Sequence, residues 1–131
     1  MRTTTTTTVA AIVVALATPA LAADLGAKDI AGAIDTYRAN EIRFTRDYAG
    51  KSIEFTWTFS RAKAKLFGSG YRVTIGTGGL TGNVDCSVTE QKLLDQIVEW
   101  NKGQKVRVRG VVEDVTMGDL QLKECTIEAV R

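Results

Sequence analysis

Ile53-Glu54-Phe55-Thr56-Trp57-Thr58-Phe59-Ser60 carries an apolar side chain at every second position. Neighbouring side chains of a strand point to opposite faces, so this period predicts a half-buried strand. Ile53, Phe55, Trp57 and Phe59 face the core, and the residues between them face water. The same period returns in Tyr71-Arg72-Val73-Thr74-Ile75 and in Val84-Asp85-Cys86-Ser87-Val88, which puts Cys86 on an apolar face. Arg61 to Gly70 reads as a basic connection between the first two strands. Gly76 to Gly82 holds four glycines and reads as a turn or mobile loop before the third.

Outward from these strands the period changes. Asp24 to Asp47 reads as one helix, with Ile30, Ile34, Tyr37, Phe44 and Tyr48 on a single face and Gly50 as its C-cap. After the third strand, Thr89 suits an N-cap. Leu93, Leu94, Ile97, Val98 and Trp100 form the stripe of a second helix that ends at Gly103. Trp100 is placed on the last turn of that helix, where it caps the end of the sheet. Lys105 to Val112 is a fourth strand, with Gly110 at a bulge or tight bend. Thr116-Met117-Gly118-Asp119 is a hairpin turn. Leu120 to Leu122 and Cys125 to Ile127 form a fifth strand whose phase slips near Lys123 and Glu124, which predicts a second bulge.

The order is helix, three strands, helix, two strands. A five-stranded barrel with a helix between strands three and four is the OB arrangement. Strands three and five are neighbours there, so Cys86 and Cys125, 39 residues apart, can be joined.

The first residues read as a signal peptide. Met1-Arg2 is a short positive start, Thr3 to Thr8 is a threonine run, and Val9 to Ala17 is apolar. Ala20-Leu21-Ala22 matches a small-x-small cleavage site. The apolar run is well short of the ~20 residues a spanning helix needs. The reading is therefore a leader over 1–22, cleaved before Ala23, and one domain over 23–131. The expected location is periplasmic or secreted, with no membrane span in the mature chain. Export also favours a Cys86–Cys125 disulfide over free thiols.

Composition narrows the chemistry. Hydrophobic residues at 44% and charged residues at 24% are globular values and exclude a disordered chain. The chain has no histidine, which removes histidine-based triads and the commonest metal ligand. The glycines at 76–82 lack the lysine and the strand–helix setting of a phosphate loop. Glu113, Asp114 and Asp119 bracket one turn but meet no calcium spacing rule. The expectation is a protein that is not an enzyme, with no cofactor and no metal.

The candidate binding residues are Arg61, Lys63, Lys65, Phe67, Tyr71 and Arg107. Arg61, Lys63, Lys65 and Phe67 lie in the connection between strands one and two, with Tyr71 following at the start of the second strand, and that connection lines the ligand cleft of OB barrels. Cations beside aromatics suit single-stranded nucleic acid, but they suit an acidic oligosaccharide or an acidic protein surface equally well. The formal net charge of +2, about +1 once Arg2 leaves with the leader, weighs against a general polyanion binder. Solubility of a small barrel is an alternative use for these cations. The primary expectation is a non-catalytic module for an anionic ligand or a cell-envelope protein. Nucleic acid or oligosaccharide bound through the basic loop is the second.

The chain resembles an exported bacterial OB-fold family called tRNA-anticodon-binding-like. The resemblance runs from Tyr37, Asn40, Phe44, Tyr48, Gly50 and Lys51, through Val84, Cys86, Lys102, Gly103, Val106, Val108 and Gly110, to Leu120, Leu122, Cys125 and Ile127. Phe44 departs from the small residue usual in the family, which alters how the first helix packs. The resemblance implies the fold and export, and names no activity.

Overall fold

A computed structural model describes residues 22–131. The predicted leader and its cleavage site therefore lie almost wholly outside the described residues. Within them the elements are α1 (Ile30–Ala39), α2 (Glu41–Asp47), β1 (Ser52–Ala64), β2 (Tyr71–Ile75), β3 (Val84–Val88), α3 (Gln91–Ile97), β4 (Lys105–Thr116) and β5 (Asp119–Ala129). The strands close into one barrel in the order β1-β2-β3-β5-β4, the OB-type topology expected from the sequence. Alternation fills the barrel: Ile53, Phe55, Phe59, Val73, Ile75, Val84, Val106, Val108 and Ile127 are all buried. No helix of the described residues is long and apolar enough to cross a membrane.

Three expectations need correction. The first helix is two. Asn40 is extended (φ −164°), and its side-chain oxygen accepts a hydrogen bond from the Arg43 N–H at 3.0 Å. Asparagine competes for backbone groups inside a helix and favours the N-cap, so the chain stops and restarts there. The apolar face survives the break. Phe44 is 2% exposed, edge-on to Tyr37 at 5.3 Å and stacked on Tyr48 at 5.9 Å.

The second correction extends β1. Residues Arg61 to Ala64 are strand, paired with β2 from Arg61↔Thr74 to Ala64↔Tyr71 after a bulge at Ser60. Their period of two continues with alanines in the apolar positions, a weak strand signal that reads as a connection. Third, α3 begins after Glu90 rather than Thr89 and stops at Ile97, which leaves Trp100 beyond the helix. Trp100 packs edge-on against Phe59 at 5.7 Å and so still covers the barrel end.

The bulge predicted near Lys123 and Glu124 is present and lies opposite Gly110, and a second irregularity, not predicted, falls between Val112 and Asp114. β3 and β5 pair in parallel from Val84↔Leu120 to Cys86↔Leu122. Opposite β4, β5 inserts one extra residue between Lys123 and Thr126, with Glu124 in the left-handed region (φ 53°). That irregularity returns Cys125 to the side of Cys86, and the two form a disulfide with 6.0 Å between Cα atoms. Gly110 lies beneath it, and a Cβ there would come within 3.1 Å of the Cys125 sulfur. Met117 and Gly118, both with positive φ, make the tight turn into β5.

Candidate binding cleft

The outward residues of β1, β2, β3 and β5 converge on one concave face. Its volume is about 460 Å³. One wall is the β1–β2 hairpin with Arg61, Lys63 and Leu66. The other is the β4–β5 turn with Thr116 and Met117, next to Leu80. The floor is Arg72, Thr74, Asp85, Asp119 and Gln121. Leu66, Leu80 and Met117 stand almost fully exposed at the rim.

The floor is a fixed polar network. The Thr74 hydroxyl donates to one oxygen of Asp85 at 2.8 Å, and the Gln121 amide donates to the other at 3.0 Å. Asp119 accepts from the Asn83 backbone N–H at 3.0 Å. Burial pushes the Asp119 carboxyl above the ordinary aspartate value, and the neighbouring charge of Asp85 adds to this. The Asn83 hydrogen bond and the Arg61 charge act against it.

The glycine-rich loop before β3 is anchored rather than loose. The buried Asn83 side chain donates to the Gly79 carbonyl at 2.7 Å and accepts from the Gly78 N–H at 3.2 Å. The Gly82 N–H also donates to the Gly118 carbonyl at 2.9 Å. Leu80 is thereby held beside the β4–β5 turn. Position 118 has no room for a side chain there, since a Cβ would sit 2.8 Å from Thr81.

The six predicted residues do not form one site. Arg61 and Lys63 line the cleft. Lys65 and Phe67 belong to the hairpin tip, where Phe67 is 88% exposed. Tyr71 shares the face of Val73, opposite the cleft, and borders a pocket against α3. Arg107 is on the far wall of the barrel, paired with Glu128 at 3.2 Å, beside Glu54 and Arg109. Arg72 was missed, although its place in the alternation put it outward. Asp85, Asp119, Gln121, Leu80 and Met117 were also missed as parts of a site. Among the described residues, no group of three acidic or cysteine side chains is placed to hold a metal ion.

A model of the tRNA_anti-like family matches residues 4–126. No curated protein matches the chain. Solved structures share its fold. One is a Klebsiella pneumoniae subsp. pneumoniae protein, provisionally named a nucleic acid-binding lipoprotein. It is 17% identical, has a TM-score of 0.51, and the match covers 78% of this chain and 88% of that one. Another is a Leishmania major protein, provisionally named an aspartyl-tRNA synthetase. It is 13% identical with a TM-score of 0.52, over 88% of this chain but only 22% of that one. At these identities the likeness is one of fold.

Proposed function

We propose, from the premise that this chain belongs to the tRNA_anti-like family, that it is an exported, non-catalytic binding module that holds a single-stranded nucleic acid in the cleft between the β1–β2 hairpin and the β4–β5 turn. One observation carries this reading. Arg61, Lys63 and Arg72 lie together on the cleft, and among the described residues none of their side chains is held in a salt bridge, although the Arg61 charge reaches Asp119. Cations left unpaired along a groove attract a chain of phosphates, even where net charge is low. Leu66, Leu80 and Met117 offer apolar contact to base faces. Asp85 and Asp119 offer acceptors to base amino groups. The fold shared with a protein named for nucleic acid binding supports the reading. The disulfide and the lipoprotein neighbour support export.

The test is amide and methyl NMR of labelled protein titrated with a short oligothymidine. Shifts should gather at Arg61, Lys63, Arg72 and Gln121 and at the Leu66, Leu80 and Met117 methyls. Shifts confined to Arg107, Arg109 and Thr126 would move the site to the far wall. A response to an acidic oligosaccharide but not to the oligonucleotide would replace the ligand class.

Binding should also depend on pH. As pH falls from neutral through the raised value of Asp119, that carboxylate is neutralised while phosphates stay ionised. The cleft then loses a negative charge that opposes the ligand, Asp85 and Arg61 being the charged groups that act on it. Affinity should therefore rise as the pH is lowered from neutral into the acidic range where Asp119 is protonated. Asp119→Asn should bind more tightly at neutral pH and lose most of that dependence, as read by fluorescence anisotropy.

A further inference from the structure

On the other side of the hairpin from the cleft lies a half-open pocket of about 530 Å³. Phe59, Ala62, Tyr71, Leu94 and Val98 give it apolar walls, and Arg61, Gln91 and Asp95 are the polar residues of its lining. Val98 is 76% exposed, so α3 leaves an apolar wall uncovered. The volume is that of an ordinary ligand pocket.

The hairpin tip has the complementary character. Leu66 and Phe67 are about nine-tenths exposed. From Arg61 to Tyr71 the chain carries Arg61, Lys63 and Lys65 and no acidic residue. The acidic residue lining the pocket is Asp95, which accepts a hydrogen bond from Gln91 at 2.7 Å. The tip cannot fold back into its own pocket. The Lys65 N–H closes the loop onto the Gly70 carbonyl at 3.1 Å. Gly70 itself is pressed on the end of β3, where a Cβ would sit 2.6 Å from the Val88 carbonyl oxygen. An apolar, basic occupant must therefore come from another molecule, and an identical chain supplies one.

We propose that two copies of this chain associate by exchanging hairpin tips, each placing Phe67 in the other's pocket and Lys65 near the other's Asp95. Tip and pocket adjoin on one side of the molecule, so a two-fold axis satisfies both contacts at once. A phenylalanine buries about 150–250 Å². Two such anchors with their leucines fall at the low end of specific interfaces, so the dimer is weak and concentration-dependent. The Arg72, Asp85 and Gln121 floor belongs to the cleft and not to this pocket, whereas Arg61 lines both and Leu66 lines the cleft.

Sedimentation velocity on the purified protein tests it. Dimer should grow in over roughly 10–100 µM, as expected of a small interface. Phe67→Asp and Val98→Asp, both at exposed positions, should each remain monomeric across that range with unchanged circular dichroism. Leu80→Asp, at the other end of the cleft, should dimerise as the parent does. Asp95→Lys should weaken the dimer about tenfold, and adding Lys65→Glu should recover it. A parent protein that is monomeric at millimolar concentration overturns the proposal. So does a dimer that survives Phe67→Asp or Val98→Asp, or a charge reversal that recovers nothing.

Discussion

Replacing both Cys86 and Cys125 with alanine should lower the stability of the fold by about 2–5 kcal/mol. The bond closes a sequence separation of 39 residues, and restricting the unfolded chain over such a loop is worth about 4 kcal/mol in the chain-entropy description. Its place in the barrel adds weight. β3 meets β5 through three register pairs, the shortest seam of the barrel and its parallel one. The disulfide lies at the end of that seam, and the loop it closes contains α3 and β4. Urea unfolding of the oxidised protein and of the double variant measures the difference. A loss under about 1 kcal/mol would mean that the seam holds without the bond.

Phe44→Ala should cost about 3–5 kcal/mol, the range for emptying a buried aromatic site. Phe44 is 2% exposed and sits between Tyr37 and Tyr48, so truncation removes two ring contacts as well as buried area. It also detaches α2 from α1, because these rings join the two helices across Asn40. Ile42 is two residues away and 83% exposed, and Ile42→Ala should stay within about 0.5 kcal/mol of the parent. Equal effects at the two positions would contradict the packing of the N-terminal helices.

The same residues show what the sequence makes legible. A period of two survives in any half-buried strand, so Ile53 to Phe59, Tyr71 to Ile75 and Val84 to Val88 declare themselves. Positive φ has few tenants, so Gly118 marks its turn, while Met117 adopts φ 52° without any such signal. The helix break at Asn40 is hidden because Tyr37 and Phe44 are seven residues apart. That spacing keeps a stripe in phase whether or not the helix is continuous. The Arg61–Ala64 extension is hidden because alanine and lysine carry little strand preference.

The cleft was only half visible. Charge in the sequence points to Arg61 and Lys63, and the strand phase places Arg72 on the same face. Asp85, Asp119 and Gln121 reach the floor through the parallel β3–β5 pairing, a long-range contact that no local pattern encodes. Arg107 was misgrouped for a related reason. The outward face of a closed barrel runs all the way round, so an outward residue on β4 lies on the far wall from one on β2.

The central claim is that unpaired cations in the cleft hold a chain of phosphates. A salt titration of labelled single-stranded oligonucleotide tests it most directly, with the parent protein and the Arg61→Ala, Lys63→Ala, Arg72→Ala variant side by side. The account predicts binding that weakens as salt rises. It also predicts that the variant binds more weakly and that its slope of log affinity against log salt is smaller by about 2, the share of three phosphate contacts on a single strand. Equal affinity and equal slope in the two proteins, or no binding by the parent at low salt, would contradict it.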